Sequence, residues 1–359
     1  MSQPEAPPRV SILMPVYNGG AFLGDAIESL LAQTLSDFEF VVVDDGSTDN
    51  SVSVLEAFRE RDPRVKLIAA EHQGISASLN RGLGEARADY VAIAHADDLS
   101  VPQRLASQAA YLDGHRRVAV VGSFVQTIDG SGCRGVVLRF PADTDEVRTT
   151  LRRRNCLAHP SVMFRRSAVK AVGGYRLDLL EDYDLWLRLS ERFELANLRE
   201  PLVLYRIHPG QLSLTRIGEI EGLRLAVQAA ARARARGRAD PLDGSSEITA
   251  PVLERLGIRK RAIARGARAE WLSRAAILAE LDAAQARSVI REASNVVGPR
   301  AAQSLEAARE LLRAETCLAA RRPLRATMHV ARAFRREPRY ASVRLTGWLT
   351  DRIRAVVVR

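Results

Sequence analysis

Four short stretches place oxygen- and nitrogen-bearing side chains densely enough to do chemistry. Asp44-Asp45 runs into Gly46-Ser47-Thr48-Asp49, His95-Ala96-Asp97-Asp98 precedes Leu99-Ser100, Glu181-Asp182-Tyr183-Asp184 opens onto Leu185-Trp186, and His208 sits between Ile207 and Pro209-Gly210. Clustered carboxylates are hard oxygen ligands that suit Mg2+ or Mn2+, ions that bridge and neutralise diphosphate oxygens. A carboxylate at a strand end can also accept a hydrogen bond from a ribose hydroxyl or a base edge. Each stretch has a plainer reading too. Asp44-Asp45 and Asp98 can be turn and cap residues, the acids at 181–184 can match a helix dipole, and His208 can face solvent. The dipole explains one acid better than three in four residues.

The elements that must position these groups follow from hydrophobic periodicity. Val10 to Val16, Phe40 to Val43, Val65 to Ala69 and Tyr90 to Ala94 are short apolar runs, the pattern of strands buried on both faces. Helical spacing fills the gaps at 21–33, 49–61 and 75–86. Repeated strand and helix predict a parallel sheet with right-handed crossovers, in which ligands bind beyond the carboxyl ends of the strands. Asp44-Asp45 and His95 to Asp98 stand at such ends, and so does Pro15-Val16-Tyr17-Asn18-Gly19-Gly20, where proline and two glycines stop the first strand. After a further strand at 118–126 the alternation breaks, through the Gly-rich turn 129–135, into mixed elements. From Ile217 onward Ala, Leu, Arg and Glu at helical spacing predict a C-terminal α-helical appendage, broken at Pro241–Ser246, Gly298-Pro299 and Pro338, with a helical hairpin at 301–336.

The net charge of +10 is unevenly spread: residues 1–210 hold 24 Lys and Arg against 28 Asp and Glu, leaving 29 against 15, a net of +14, for residues 211–359. The second part therefore either faces something anionic or is a solvated arginine-rich helical surface. Hydrophobic residues at 47% and charged residues at 27% fit a globular chain and exclude a disordered or fibrous one. No apolar run is long enough to cross a bilayer. Residues 1–9 are expected to be a disordered tail without the plan of a secretory signal. Three distant cysteines form neither a disulfide framework nor a zinc spacing, which points to a reducing cytoplasm.

Taken together and in order, the blocks MPVYNGGAFLGDAIESLLAQT (14–34), VVVDDGSTD (41–49), GISASLNRGLGEARADYVAIAHADD (74–98), NCLAHPSVMFRRSAVKAVGGY (155–175), EDYDLWLRL (181–189) and LYRIHPGQLS (204–213) resemble the family 2 glycosyltransferases. The resemblance implies a GT-A fold: α/β, with a Rossmann-like, mostly parallel sheet, over residues 10–214, leaving 215–359 as the basic helical region. It puts Pro15, Val16, Tyr17, Asn18, Asp44 and Asp45 at the nucleotide-binding edge and Asn80 with Arg81 in the donor-side helix. The triplet His95-Ala96-Asp97 occupies the family's DXD position. Here the chain departs from the pattern, because His95 stands in place of the first acid, the position on the sugar or ribose side. Asp97 corresponds to the main metal contact, Asp182 to the general base with Glu181 beside it, and His208 to a loop that reaches the metal or diphosphate in several members.

The expected reaction is a single in-line displacement with inversion. Asp182 takes the proton of an acceptor hydroxyl while a divalent metal, Mn2+ or Mg2+, offsets charge on the departing nucleoside diphosphate. The partners implied are a nucleotide-sugar donor, a UDP-sugar first, and a glycan or lipid-linked acceptor in cell-surface polysaccharide, lipopolysaccharide or glycolipid synthesis. Peripheral attachment to an anionic inner membrane face would suit the basic region, and nucleic acid is a poorer match. A nucleotidyltransferase would need a basic Gly-rich loop at the first turn, and 15–20 holds no Lys or Arg. Nothing in a glycoside hydrolase calls for nucleotide-type strand ends. The non-enzymatic alternative is a degenerate GT-A domain acting as a binding protein, its basic half contacting membrane or nucleic acid.

Overall fold

A computed structural model of the chain describes residues 6–208, 217–263, 310, 313 and 323–336. The boundary expected at 214/215, the break at Gly298-Pro299, most of the hairpin at 301–336 and the tail from Trp348 to Arg359 lie outside them. By internal contacts the chain divides into two compact units, one of residues 1–126, 138–205 and 226–249, the other of 127–137, 206–225 and 250–359.

The first unit begins with the alternation expected: β1 (Val10–Val16), α1 (Leu23–Leu31) after a 3-10 turn at Gly20–Phe22, β2 (Phe38–Asp44), α2 (Ser51–Arg61), β3 (Val65–Ala69), α3 (Ile75–Glu85) and β4 (Tyr90–Ile93). There follow β5 (Leu99–Ser100), α4 (Arg104–Gly114), β6 (Val118–Ile128), β7 (Arg134–Leu138), α5 (Thr144–Leu151), β8 (Met163–Arg165), α6 (Arg166–Ala171), α7 (Glu181–Ser190) and β9 (Glu194–Arg206). The strand order is β3-β2-β1-β4-β8-β6-β9-β5. Strands β3, β2, β1 and β4 pair in parallel, with Val10 opposite both Phe38 and Tyr90. Beyond β4 the sheet continues antiparallel through β8. That join brings the block around His159 to the ligand-binding end of the parallel strands.

Every residue of β2 is buried and β1 is buried but for Pro15, because helices cover both faces. Ile12, Met14, Phe40 and Val42 meet Leu23, Ile27, Leu30 and Leu55 in one core. On the other face α3 packs so closely that a Cβ on Gly82 would lie 2.1 Å from Leu13 Cδ1, which explains a glycine in mid-helix despite its helix penalty.

The end of the sheet away from the site is clamped by one acid. Glu39 in β2 is 2% exposed. It accepts from Ser11 Oγ in β1 (2.5 Å), Lys66 Nζ in β3 (2.7 Å) and both the backbone and guanidinium of Arg87 ahead of β4 (2.6 and 3.1 Å). Burial alone would raise its pKa, but Lys66, Ser11 and Arg87 outweigh burial and hold it at about 2.

The second unit contains a hairpin in which Thr127 Oγ1 donates to Val136 O (3.0 Å), closed by Asp129 accepting from the amides of Ser131 and Cys133. Its helix Pro323–Arg336 carries no acid and ends in Arg335-Arg336. The long helix Ile217–Arg234 begins in this unit and ends in the first, where Gln228 Nε2 donates to Arg153 O and Tyr183 Oη.

The Glu39 clamp sets a pH dependence. A depressed carboxyl contributes stability that is complete above its unfolded value of 4.5 and is lost as pH falls towards 2. Denaturant titrations of wild type and Glu39→Gln should differ by about 3 kcal/mol at neutral pH. The difference should shrink steadily below 4.5; a pH-independent gap would show that the carboxylate is not what clamps the strands.

Candidate active site

Three loops at the carboxyl ends of β1, β2 and β3 are laced into one surface. Asn18, in the left-handed region at φ 52°, turns its amide oxygen onto the backbone N–H of Thr48 (2.8 Å) and Asp49 (3.3 Å). In return Ser47 Oγ, Ser51 Oγ and Asp49 Oδ2 accept from the backbone N–H groups of Asn18, Gly19 and Gly20. Gly20 stands at φ 60° in this exchange, in the left-handed region that favours glycine. Tyr17, 50% exposed, stacks on His72 at 4.2 Å between ring centroids and 28° between planes.

The two acids at the end of β2 divide the work. Asp45 is structural: its carboxylate accepts from the amides of Gln73 and Gly74 (both 3.0 Å) and meets His72 Nδ1 at 2.8 Å, so it folds the loop that starts α3. Asp44 accepts the amide of Ser47 on Oδ2 (3.2 Å), while its buried Oδ1 accepts no hydrogen bond from the described residues. A buried carboxylate oxygen left so is costly unless a ligand supplies the donor.

Asn80, expected on the donor side, uses its amide on another loop. Its Nδ2 donates to Tyr175 O (2.7 Å) and its Oδ1 accepts from Tyr175 N (3.0 Å), while Arg81 beside it is exposed. Ser76 Oγ also donates to Leu177 O (2.5 Å). Helix α3 thus carries the loop between α6 and α7, in which Gly173 and Gly174 turn at positive φ. Arg188 Nη1 and Nη2 donate to Val172 O and Gly174 O from within, and buried Asp184 binds both Arg176 and Arg188. Asp184, one of the three clustered acids, is therefore a structural anchor.

Leu180 precedes α7 at φ 58°, a costly conformation for a branched residue of its size. Asp182 Oδ2 accepts from Asn155 Nδ2 (2.7 Å) and Oδ1 from the amide of Tyr183 (2.6 Å). Glu181 is 9% exposed. Burial, with the neighbouring charges of Asp182 and Asp178, pushes its carboxyl well above the ordinary range. Two adjacent acids thus have different surroundings: Asp182 accepts two hydrogen bonds, and Glu181 is buried with its carboxyl pushed up.

At the end of β4, the ligand atoms of His95, Asp97 and Asp98 lie within 4.8 Å of one another. Two carboxylates and an imidazole are a donor set that fits Mn2+ well and Mg2+ less well, because Mg2+ prefers oxygen throughout. Behind them lies Arg104, 1% exposed. Its guanidinium donates to Ile93 O (2.6 Å), Val162 O (3.2 Å), Ser100 Oγ (2.9 Å) and Gln108 Oε1 (3.2 Å). Burial pulls its pKa down to about 10 against the opposing charge of Asp98. Ala96 contributes backbone between the ligand residues. His208 belongs to the second unit, two residues beyond β9.

Three residues outside the expected set belong to this centre. His159, 5% exposed, has Nδ1 3.2 Å from His95 Nε2 and 3.6 Å from Glu181 Oε1, and Nε2 3.0 Å from Tyr175 Oη. It thereby joins the His95 cluster to the acids of α7. Desolvation, then His95, lowers its pKa well below the usual imidazole value, and desolvation lowers that of His95 as well, against Asp97. Tyr175 and Asn155 complete the link. All three fall in the block 155–175 that carried the resemblance, but no spacing rule singles them out.

The family model described as Glycosyl transferase family 2 matches residues 11–173. EpsE of Bacillus subtilis (strain 168) is 35% identical over 206 residues, 55% of this chain and 73% of that protein. The O-antigen biosynthesis glycosyltransferase WbnJ of Escherichia coli is 31% identical over 204 residues, 55% of this chain and 80% of its own length. Among solved structures, S. aureus TarS 1-349 in complex with UDP-GlcNAc has a TM-score of 0.54 at 16% identity, with 92% of each chain covered. That likeness is one of fold, and the α/β sheet with its site at the parallel strand ends is the GT-A architecture. With strand ends, carboxylates and relatives in agreement, the chain belongs to glycosyltransferase family 2.

Proposed function

We propose that this glycosyltransferase is inverting and uses a nucleotide-sugar donor, a UDP-sugar first, with a divalent metal at Asp97. The observation that carries the reading is the pairing of Asp182, fixed by Asn155, with the cluster of His95, Asp97 and Asp98 reached through His159. Tyr17 on His72 offers an aromatic face for a nucleobase, and Asp44 Oδ1 an acceptor for a base N–H or ribose hydroxyl. The TarS structure carries UDP-GlcNAc and supports a uridine donor by analogy of fold.

In this reading the chain's own residues do the proton work. Asp182, oriented by Asn155 and the Tyr183 amide, would receive an acceptor hydroxyl on its carboxylate. It removes that proton as the oxygen attacks the anomeric carbon from the face opposite the leaving diphosphate, which inverts configuration. Burial disfavours the charged form of Glu181 beside the base. Asp97, with His95 and Asp98, would hold Mn2+ or Mg2+, whose chemistry when bound is to offset the charge of the diphosphate. Asp45 and Asn80 act through the loops they brace.

The acceptor in this reading is a glycan or lipid-linked sugar of the cell envelope, a direction supported by the O-antigen role in the name of WbnJ. The strongly basic 211–359 region, including Arg335-Arg336, suits a cytoplasmic enzyme bound peripherally to the inner membrane face. No described helix is long and apolar enough to cross a membrane.

Three measurements test the reading. Asp182→Asn should lower the transfer rate by roughly 10²–10⁴-fold with donor affinity nearly unchanged, and near-normal turnover would move the base elsewhere. Wild type should prefer Mn2+ to Mg2+ and His95→Asp should recover activity with Mg2+, while Asp97→Ala should lose activity with both; transfer without metal would refute the metal assignment. The full chain should sediment with anionic but not neutral liposomes at low salt, and release as salt rises. Indifference to lipid charge would leave the basic helices a packing element.

A further inference from the structure

We propose that His159 is a positioning residue for the metal cluster: it keeps the proton of His95 on Nε2, so that the Nδ1 lone pair of His95 faces Asp97 and Asp98 as a third ligand. The inference rests on the metal reading above and deepens it. A neutral imidazole carries one N–H and one lone pair, so a ring bound to a metal through one nitrogen must hold its proton on the other. His95 Nδ1 is the nitrogen on the carboxylate side, 3.9 Å from Asp98 Oδ2. Its Nε2 then needs an acceptor, and His159 Nδ1 lies there at 3.2 Å.

Accepting at Nδ1 obliges His159 to carry its own proton on Nε2, where Tyr175 Oη stands 3.0 Å away. Donation therefore runs from His95 to His159 to Tyr175. The opposite order places protons on His95 Nδ1, towards Asp98, and on His159 Nδ1, shared between His95 Nε2 and Glu181 Oε1 at 3.6 Å. That order turns the His95 proton towards the carboxylates and leaves His95 no lone pair for a cation. Both orders contain the same protons, so the exchange moves protons within the chain and releases none. Neither ring can be replaced by bulk water, since His159 is 5% and Tyr175 3% exposed. Edge contacts with His95 (71° between planes) and Tyr175 (64°) fix the orientation of the His159 ring. The same ring reaches Glu181, so the ligand geometry of His95 is tied to the helix that carries the base.

Two amide substitutions separate the faces of His159. In His159→Asn the side-chain oxygen can stand near the position of Nδ1 and still accept from His95, whereas His159→Gln reaches the Tyr175 side and leaves His95 Nε2 without its acceptor. Mn2+ binding to the full chain is read from loss of the free-ion EPR signal, without recourse to activity. His159→Gln should weaken Mn2+ binding by about 10–100-fold and His159→Asn by much less. In the His95→Asp background, where a carboxylate needs no tautomer, the two substitutions should have equal, small effects. Equal losses from both in the wild-type background, or an undiminished His159→Gln loss with His95→Asp, would reduce His159 to a packing residue and overturn the inference. Absence of Mn2+ binding in both wild type and His95→Asp would instead overturn the metal reading on which it rests.

Discussion

The site depends on one buried cation. The Arg104 guanidinium sits where the parallel strands end and the antiparallel extension begins, donating to Ile93 O at the end of β4 and Val162 O just before β8. An arginine so buried costs desolvation energy, as its lowered pKa records, and persists because its donors are met and Asp98 faces it. The same contacts fix both segments of the site. Without them the carboxylates of Asp97 and Asp98 would repel one another with nothing behind them, and the segment bearing His159 would lose its registration on β4. Gln108, one turn along α4, extends the lattice to Val121 O and Ser161 O.

From that anchor the centre is built by division of labour between adjacent like residues. Asp44 presents an oxygen while Asp45 folds a loop. Asp182 is hydrogen-bonded by Asn155 and the Tyr183 amide while Glu181 is buried with its carboxyl pushed up, and Asp184 is bound by two arginines. In each case the surroundings decide the role. Asp45, bound by two loop amides and His72, and Asp184, bound by two arginines, hold structure, whereas Asp44 and Asp182 are the acids proposed for chemistry.

Much of this was legible in the sequence. Apolar runs located β1 and β3 to the residue and the first four strands to within two, because fully buried parallel strands leave uninterrupted hydrophobic runs. The acids at strand ends followed from the rule for parallel sheets. The long-range partners did not. His159 reads as part of a His-Pro turn, yet its contacts are 64 residues away at His95 and 22 away at Glu181; Arg104 follows Pro102 as an ordinary first-turn residue of a helix. Asn155 ends a run of three arginines and meets Asp182 only through the antiparallel return of the chain. Hydrophobic periodicity records which face is buried and is silent on which polar groups meet across a fold. Asn80 and Asp45 show the same limit in reverse: they stand at the expected places, with side chains spent on holding loops.

The central claim is that His95, Asp97 and Asp98 form a metal cluster serving a nucleotide diphosphate at the parallel strand ends, with Asp182 across the cleft. A crystal structure of the chain grown with UDP and Mn2+, with anomalous data collected for manganese, tests this most directly. The account predicts one strong anomalous peak in bonding distance of Asp97 and His95 Nδ1, touching the diphosphate, with the uracil ring against Tyr17. UDP bound with no anomalous peak at that cluster, or an ion seated away from Asp97, would contradict it.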